Sequence, residues 1–289
     1  MTPRVLLASC RELPESDGDD TSLPEALAEV GVDASWAAWD DPDGGFARAD
    51  LVVVRSTWDY VDRRDEFLAW CAAVPALANP ASVIEWNTDK SYLVDLAATG
   101  LDVVPTELVH PGRSPVWPVG PFVVKPAVGA GSRGAARFDG DLDAARAHLD
   151  ALTGVAVLQP YQRAVDTEGE TALVFLGGVY SHAFVKGPML SESAVVDGSG
   201  LFVEERLRPV DPARDLRRAA EDAMDAAAGV LGLHRSDLLY ARVDLVRGGE
   251  GEPLLLELEL AEPSLGFRQT DGTARQRFAS AVRGALARR

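Results

Sequence analysis

The N-terminal part of the chain alternates short, continuous apolar runs with segments of helical periodicity. Residues 5–8 and 51–54 are apolar runs, which is the pattern of strands buried in a parallel sheet. Residues 22–30 and 65–74 have the apolar spacing of helices that bury one face. Strands that alternate with helices predict a doubly wound α/β domain, which we assign to residues 1–82.

A second region, residues 83–158, is predicted to form a compact unit of strand, loop, helix and strand. Its apolar run at 122–126 carries one lysine and is followed at once by a glycine-rich segment. A proline-rich stretch at 111–121 is interpreted as a linker or an edge connection. The other expected elements are a helix at 89–98, a strand that begins at 103–104, a helix at 141–152 and a strand at 155–159.

The third region, residues 159–289, alternates strands, a polar loop and a long helix. Its last predicted elements are two strands joined by the sequence RGGEGE, whose glycine content suits a hairpin loop. The polar residues 188–200 are expected to form a loop that could close over a site. The expected elements are strands at 171–176 and 179–186, a helix at 212–231, and hairpin strands at 239–246 and 253–260.

Strand alternation in this hairpin gathers charged side chains on one sheet face. Arg242 and Asp244 share a face of the first strand, and Glu257 and Glu259 share a face of the second. Three carboxylates on adjacent strands repel one another unless a cation lies among them, and oxygen ligands at that density suit Mg²⁺. A solvent-facing strand with scattered charge explains the same pattern equally well. The opposite face of the second strand is expected to carry Leu256, Leu258 and Leu260.

The sequence FVVKPAVGAGSRG, residues 122–134, has the layout of a phosphate-binding segment. Its strand projects Lys125, and its glycines let backbone N–H groups close over an anion without a steric cost. It lacks the GK[ST] ending of a P-loop and the spacing of a Rossmann fingerprint. An ordinary turn between a strand and a helix is the alternative interpretation.

The strand that follows ends in residues that suit a nucleoside. Backbone groups at Gln159 and Tyr161 could hold a nucleobase in an extended hinge, and Glu168 or Glu170 could meet the ribose hydroxyls. His182, in a later strand, is interpreted as an ordinary hydrogen-bonded strand residue.

The residues RSTWDY directly follow the predicted strand at 51–54. Ligands bind at the carboxyl ends of strands in open α/β sheets, so this segment is a candidate substrate site. It offers the Arg55 guanidinium, which suits a carboxylate, together with the Ser56 hydroxyl and the rings of Trp58 and Tyr60. Packing of both rings in a domain interface is the alternative.

The composition excludes some classes of function. The chain has 289 residues and a formal net charge of −17, so the molecule as a whole does not attract nucleic acid or an anionic membrane. Cys10 and Cys71 are too few for a disulfide framework and fit a reducing compartment. The sequence has no signal peptide and no apolar run of membrane length, so we expect a cytoplasmic protein.

Lysine is rare in this chain. Of its 28 basic residues only Lys90, Lys125 and Lys186 are lysines, and the others are arginines. Lysine is a compact point charge on a flexible stem, which phosphate sites often use. The three lysines are therefore candidate phosphate contacts, with chance in an arginine-biased chain as the alternative.

The order of these features resembles the ATP-grasp superfamily of carboxylate–amine ligases. The resemblance implies an α+β ATP-grasp fold, in which the α/β domain is followed by two α+β subdomains, residues 83–158 and 159–289, that hold ATP between them. The segments RSTWDY, WNTDK, EGE and LELELAEPSL further resemble a narrower group of cyclo-ligases, whose best-understood member closes O-ureidoserine into cycloserine. The residues that carry the superfamily resemblance are, in chain order, Lys90, Lys125, Lys186, Arg242, Asp244, Glu257 and Glu259.

The resemblance implies a role for each candidate residue. Lys90 and Lys125 would bind the α- and β-phosphates of ATP. Lys186 near the γ-phosphate and Arg242 at the transferred phosphoryl group would be the catalytic residues. Glu259 stands where the family usually has asparagine, so it adds a negative charge. The other implied contacts are Gly129, Gly131, Ser132 and Gly134 over the triphosphate, Gln159 and Tyr161 at the adenine, Glu168 or Glu170 at the ribose, and Asp244, Glu257 and Glu259 around Mg²⁺.

The implied reaction is the ATP- and Mg²⁺-dependent joining of a carboxylate to an amine through an acyl-phosphate. The expected substrate is a small, amino-acid-like molecule, and its amine partner is a second molecule or another group of the same one. A kinase that stops at the phosphorylated product and a non-catalytic ATP-binding module are the alternatives. Many ligases of this family are dimers, which makes a homodimer a candidate assembly. The expected substrate contacts are Arg55, Ser56, Trp58, Tyr60, Glu262 and Ser264.

Overall fold

The computed structural model of the chain describes residues 2–190, 197–202, 206–270 and 272–289. They contain one parallel sheet followed by two antiparallel sheets, which confirms the expected α/β class. Of the polar loop expected at 188–200, residues 191–196 lie outside the described residues.

The N-terminal sheet is parallel, with the strand order β2-β1-β3-β4. Helix α1 packs against the face that carries Val5 and Leu7, and helix α2 packs against the face of Leu6 and Ala8. Both faces are therefore covered, as the doubly wound prediction requires. The elements are β1 (Arg4–Ser9), α1 (Leu23–Glu29), β2 (Asp33–Ala38), β3 (Leu51–Ser56), α2 (Arg64–Ala73) and β4 (Leu77–Ala78).

Two details of this sheet differ from the sequence prediction. Strand β2 was not predicted, because its sequence DASWAA contains no continuous apolar run and none of its residues is fully buried. Strand β3 continues to Ser56, so Arg55 and Ser56 belong to the strand rather than to the loop after it. All six residues of β3 are buried.

The central part of the chain forms a small antiparallel sheet with the strand order β5-β8-β6-β7. The strand expected at 103–104 is absent, since Val103 makes only an isolated bridge to Leu255. The proline-rich stretch follows β5, and β7 directly follows the glycine-rich segment. The elements are α3 (Ala81–Asn87), α4 (Tyr92–Ala98), β5 (Glu107–Val109), β6 (Phe122–Pro126), β7 (Ala136–Phe138), α5 (Leu142–Ala151) and β8 (Ala156–Pro160).

The C-terminal part forms a five-stranded antiparallel sheet with the order β11-β10-β9-β12-β13. The predicted hairpin is confirmed, since β12 and β13 pair antiparallel along their length. A final helix, α7, was not predicted. The elements are β9 (Glu170–Leu176), β10 (Val179–Lys186), β11 (Leu207–Pro209), α6 (Arg214–Leu231), β12 (Tyr240–Arg247), β13 (Pro253–Glu259) and α7 (Thr273–Ala287).

Apolar clusters cover both faces of the five-stranded sheet. Helices α4 and α6 pack on the face of Phe175, Val243 and Leu258. The other face, which includes Val174 and Tyr240, packs against the N-terminal sheet and α7 at one end. This packing leaves one stretch of that face, between the N-terminal domain and the central sheet, for charged side chains.

The predicted domain boundaries each fall inside an element. The boundary at 82 cuts α3, and the boundary at 158 cuts β8. The division of the chain into three domains therefore stays a prediction. Boundaries that keep α3 and β8 whole would differ from the predicted ones by a few residues. Among the described residues, no helix combines the length and the apolar character that a membrane crossing requires.

Candidate active site

A cleft runs between the central sheet and the C-terminal sheet, with the N-terminal domain at one end. Strands β6 and β8 and the glycine-rich segment line one wall, and β10, β12 and β13 line the other. The predicted site residues that line it are Trp58, Tyr60, Lys90, Lys125, Gly129, Gly131, Ser132, Gln159, Tyr161, Glu170, Lys186, Arg242, Glu257, Glu259 and Glu262.

The register of the hairpin places its charged residues side by side. Arg242 lies opposite Glu259, and Asp244 lies opposite Glu257. One carboxylate oxygen from each of Asp244, Glu257 and Glu259 lies within 4.8 Å of the others. The charged face expected from strand alternation therefore faces the cleft, with Arg242 and Asp244 buried and Glu257 and Glu259 partly exposed.

A bulge in β13 changes the position of one predicted residue. Asp244 pairs with Glu257 but the next residue, Leu245, pairs with Leu255, so Leu256 is left out of the ladder. Leu256 consequently turns into the cleft, where it packs near Tyr161, instead of joining Leu258 on the opposite face. The alternation rule gave the wrong face for Leu256 because it counts residues and does not detect an inserted one.

Two cations neutralise the buried carboxylate of Asp244. Lys186 Nζ lies 2.7 Å from Asp244 Oδ2 and 2.9 Å from a carboxylate oxygen of Glu170. Arg242 donates from Nε to Asp244 Oδ1 at 2.9 Å and from Nη2 to Glu259. Arg242 Nη1 also donates to the Ser264 carbonyl at 3.0 Å, which helps to fix the orientation of the guanidinium group.

The carboxylates of this cluster have very different proton affinities. Burial raises the pKa of Glu257, but Lys90, Lys125 and Lys186 outweigh it and hold that pKa well below its usual value. Burial, joined by the neighbouring carboxylates and opposed by Arg242, raises the pKa of Glu259 to about 8. These directions favour the ionised form of Glu257, and they disfavour ionisation of Glu259 unless a further cation joins Arg242 beside it.

The donor set fits a hard divalent cation. Three carboxylates converge from adjacent strands, and a bound cation would favour the ionised form of Glu259. Asp244, Glu257 and Glu259 would hold Mg²⁺ here, with phosphate oxygens of a nucleotide as the remaining ligands.

Lysines from two elements reach the opposite side of the cleft. Lys90 Nζ donates to the Gly129 carbonyl at 2.7 Å and lies 3.0 Å from Glu257 Oε1, so it connects the glycine-rich segment to the carboxylate cluster. The side chain of Lys125 forms no hydrogen bond or ion pair with any residue that the structure describes. Burial, helped by Lys90 and opposed by Glu257, lowers the pKa of Lys125. An anion between these lysines would relieve that cost.

The glycine-rich segment lines the cleft along most of its length. A Cβ at Gly131 would lie 2.6 Å from the Leu201 carbonyl oxygen, and Gly131 has a φ of +59°, so no larger residue fits there. Ser132 also has a positive φ, of 60°, which is strained for a serine. Gly134 does not line the cleft. Its φ of +72° serves the turn into β7, so its expected contact with the triphosphate is not supported by its position.

Gln159 and Tyr161, the expected hinge residues, line the cleft, but some of their hydrogen-bonding groups already have partners within the protein. Gln159 donates from its amide to the Thr106 hydroxyl at 2.9 Å, and the Tyr161 N–H donates to the Pro121 carbonyl at 2.8 Å. The neighbouring Gln162 also lines the cleft, and its backbone N–H has no partner among the described residues. Gln162 is therefore a better candidate donor to a nucleobase than Tyr161.

Of the two glutamates expected at the ribose, only Glu170 lines the cleft, where it pairs with Lys186. Glu168 is exposed outside it.

The expected substrate residues divide into two groups. Trp58, Tyr60 and Glu262 line the end of the cleft near the N-terminal domain, as expected. Arg55 does not, because its guanidinium is buried in the domain interface, where it contacts Asp20 Oδ2 at 2.5 Å and the Pro263 carbonyl at 2.7 Å. The remaining two, Ser56 and Ser264, also lie outside the cleft.

Ser56 accepts an N–H from Cys10 at 2.9 Å through its carbonyl, and Ser264 holds Arg242 through its own carbonyl. Ser264 thus acts on the site through its backbone, which side-chain chemistry alone did not indicate.

Sequence reasoning missed Arg133, whose side chain lines the cleft beside the glycine-rich segment. Its Nη1 lies 3.3 Å from Asp62 of the N-terminal domain, while its Nε and Nη2 are buried and have no hydrogen-bond partner in the part of the chain that the structure describes. Its position within GSRG was the only available signal, and arginine is too common in this chain for that signal to stand out.

Sequence reasoning also missed Asn87, three residues before Lys90. Its buried side chain donates to the Leu258 carbonyl at 2.8 Å and accepts from the N–H groups of Leu260 at 2.5 Å and Ala261 at 3.1 Å. The side chain of Asn87 therefore pairs with backbone groups at the end of β13, as a neighbouring strand would. These hydrogen bonds fix the backbone that carries Glu257 and Glu259. The WNTDK segment contained this residue without indicating its role.

We expect Asn87→Ala to lower the rate of ADP formation by about 10- to 100-fold, because an edge strand with unpaired buried groups no longer holds the carboxylates in place. Asn79→Ala is the matched control. Asn79 makes three comparable buried bonds, to Leu239, Tyr240 and Leu260, but lies outside the cleft. Both variants should lose thermal stability, and only Asn87→Ala should lose activity at a temperature where both are folded. Equal activity losses would contradict this positioning role.

Comparison with known proteins decides the family. The chain is 39% identical over 284 residues to the cycloserine biosynthesis protein DcsG of Streptomyces lavendulae, an alignment that covers 92% of this chain and 93% of that protein. The chain belongs to the DcsG family of ATP-grasp ligases. The N-terminal domain family of D-cycloserine synthetase DcsG matches residues 5–80.

Solved structures agree with this assignment. The crystal structure of D-cycloserine synthetase DcsG matches with a TM-score of 0.87 and 36% identity, over 98% of this chain and 99% of that one. D-alanine–D-alanine ligase from Bacillus anthracis matches with a TM-score of 0.67 over 99% and 98%, at 13% identity, which shows the fold alone. Membership of the DcsG family confirms the prediction of an ATP-dependent carbon–nitrogen ligase with an ATP-grasp fold.

Proposed function

We propose that this DcsG-family ligase activates the carboxylate of a small amino-acid-like substrate as an acyl-phosphate and joins it to an amine, with Mg²⁺ and ATP. The observation that supports this most directly is the buried cluster of Arg242, Asp244, Glu257 and Glu259 facing Lys125 across the cleft. Carboxylates for a divalent cation and cations for phosphates meet there at one place. Phosphoryl transfer needs such positioning and charge neutralisation more than it needs a nucleophilic side chain.

The two walls of the cleft would bind different parts of the nucleotide and the substrate. Lys90, Lys125 and the N–H groups of the glycine-rich segment would hold the triphosphate, and Gln162 would meet the nucleobase. Bound Mg²⁺ would supply charge neutralisation at the β- and γ-phosphates. Arg242, held by Asp244 and the Ser264 carbonyl, would place its positive charge beside the phosphoryl group as it moves to the substrate carboxylate.

The second half of the reaction forms the new bond to nitrogen. The amine attacks the acyl carbon, the bond between that carbon and the phosphoryl oxygen breaks, and phosphate leaves with the electron pair. Trp58, Tyr60 and Glu262 surround the end of the cleft where the small substrate would lie. The buried walls would exclude water, which otherwise hydrolyses an acyl-phosphate.

A screen of ADP release tests this function. Each amino acid, alone and in pairs, together with O-ureidoserine, is offered with ATP and Mg²⁺. Turnover with a single compound indicates cyclisation, and dependence on a pair indicates ligation of two molecules. ATP binding without ADP release from any mixture would refute the ligase proposal and favour a non-catalytic module, and a stable phosphorylated product would favour a kinase.

Lys125→Arg tests the phosphate side of the cleft. The substitution keeps the charge, but a planar guanidinium does not reproduce a compact ammonium in a buried position. We expect the affinity for a non-hydrolysable ATP analogue to fall about 10-fold in isothermal titration. Arg113→Lys, in the exposed proline-rich stretch, is the control and should bind as the unmodified protein does. Unchanged affinity in Lys125→Arg would remove Lys125 from the phosphate site.

A further inference from the structure

Glu262 occupies a fixed position at the substrate end of the cleft. The backbone of residues 261–263 forms three hydrogen bonds with buried side chains. Trp58 Nε1 donates to the Glu262 carbonyl at 3.1 Å, the Asn87 side-chain oxygen accepts from the Ala261 N–H at 3.1 Å, and Arg55 donates to the Pro263 carbonyl at 2.7 Å. Only 7% of Glu262 is exposed, and its carboxyl group lines the cleft.

The charge of Glu262 is not balanced by a neighbouring cation. Four other carboxylates of the site, at Glu170, Asp244, Glu257 and Glu259, each form an ion pair with a lysine or arginine. Glu262 forms no ion pair with any residue that the structure describes. The Tyr60 hydroxyl is a neutral hydrogen-bond partner of this carboxylate and does not balance its charge. A buried carboxylate without an ion pair is costly, so a carboxylate retained at a ligand site suits a cationic ligand group.

The surroundings of Glu262 suit an organic cation. Trp58 and Tyr60 line the same end of the cleft, and Trp58 lies edge-on to Phe202 with ring centroids 5.0 Å apart. Aromatic faces attract organic cations, and walls of this kind keep water from competing with them. Lys90 and Arg242, the nearest cations, are already bound to Glu257 and to Asp244 with Glu259.

We propose that Glu262 binds the protonated amino group of the substrate and so selects amino acids over other small carboxylic acids. This inference rests on the proposed function, since it places an amino-acid substrate in the same cleft. It gives the site two ends of opposite character. The lysines and Arg242 receive the phosphates and the activated carboxylate, and Glu262 receives the ammonium group.

This assignment predicts a dependence on pH. Burial raises the pKa of Glu262 to about 7, although Tyr60, Lys90 and Arg242 favour the ionised form. Because ammonium binding needs the ionised carboxylate, affinity for an amino acid should fall as the pH drops below about 7. The titratable and charged groups around Glu262 are Tyr60, Cys71, Lys90, Tyr240, Arg242 and Glu257.

A pair of ligands that differ in one group tests the proposal. Serine and glycerate share a carboxylate and a hydroxymethyl group, but glycerate has a hydroxyl in place of the ammonium. Isothermal titration of each, as both enantiomers, is carried out on the full chain with Mg²⁺ and a non-hydrolysable ATP analogue. We expect the unmodified protein to prefer one serine enantiomer over glycerate by at least about 10-fold at pH 8, and by less at pH 5.5.

Glu262→Gln should abolish this preference, and Glu262→Asp should retain part of it. Glu29→Gln, on the exposed end of α1, is the control. Unchanged thermal stability and nucleotide affinity in Glu262→Gln would show that the variant is folded. If the unmodified protein does not prefer serine, or if Glu262→Gln keeps the preference, the proposal is overturned.

Binding and turnover separate this proposal from the ligase function. If serine is preferred through Glu262 but no amino acid releases ADP, the ligase proposal fails and the ammonium site stands. If carboxylic acids without an amino group release ADP as fast as amino acids do, the ligase stands and the ammonium site fails.

Discussion

Glu257→Gln should reduce ADP formation by about 100- to 1,000-fold, the usual effect of removing one charge-stabilising group from a transition state. The carboxylate lies 3.0 Å from Lys90 and is held ionised by three lysines. Glutamine keeps the shape of the side chain but removes the charge, so it weakens a cation site and leaves Lys90 unbalanced. Loss of a bound cation weakens the gathering of negative phosphate oxygens at this point of the cleft, and Lys90 loses one of the two contacts that fix its position.

The rate of ADP release is measured with a substrate that the unmodified enzyme turns over. ATP is saturating, and the Mg²⁺ concentration is varied. We expect the Mg²⁺ concentration for half-maximal rate to rise in Glu257→Gln as the maximal rate falls. Glu250→Gln, in the exposed loop of the same hairpin, is the control and should behave as the unmodified protein does. Full activity in Glu257→Gln would exclude Glu257 from the metal cluster.

Arg55→Met should lower the free energy of unfolding by about 3 to 5 kcal/mol, because it leaves the buried carboxyl group of Asp20 without its partner. Both side chains are almost completely buried, with 1% and 3% of their surfaces exposed. The substitution also removes the donor to the Pro263 carbonyl, which joins the N-terminal domain to the segment after β13. Arg55 therefore contributes mainly to stability, whereas the sequence indicated a contact with substrate.

The loss of stability in Arg55→Met should be larger at high pH than at low pH. Burial already raises the pKa of Asp20 to about 7, against the opposing effect of Arg55, and removing Arg55 raises it further. A carboxyl group whose pKa is higher in the folded state than in the unfolded chain favours folding at low pH and loses that contribution as the pH rises. Arg55→Met should therefore be destabilised more at pH 8 than at pH 5.

Denaturant unfolding at the two pH values measures both effects. Arg218→Met is the control, since Arg218 is 85% exposed and lies 3.9 Å from Asp222 in a solvent-exposed pair. Its substitution should change the free energy of unfolding by less than about 1 kcal/mol. A comparably small change in Arg55→Met, with a large loss of substrate affinity, would restore the substrate role that the sequence suggested.

Sequence patterns predicted the elements whose burial follows a simple period. The apolar runs of β1 and β3 and the antiparallel hairpin of β12 and β13 lie where they were expected. Strand β2 and helix α7 were missed, since neither has an apolar run or a charge pattern that stands out in the chain. The ATP-grasp order of lysines, hinge and carboxylates further indicated a family that the comparisons confirm.

The sequence by itself determined which side chains share a face. Arg242 with Asp244, and Glu257 with Glu259, follow from the two-residue period of a strand, which is a local property of the backbone. Local geometry of this kind depends on neighbouring residues only, so it can be read along the chain.

Only the tertiary structure decided what each face meets. Arg55 reaches a carbonyl 208 residues away, and the side chain of Asn87 pairs with a strand edge 171 residues away. The bulge at Leu256 turns one leucine into the cleft, and Glu262 lies buried at the end of the cleft without an ion pair among the described residues. These features depend on the packing of distant segments and on burial, and the free energy of a buried charge or hydrogen bond is set by its surroundings in space, which periodicity along a sequence does not specify.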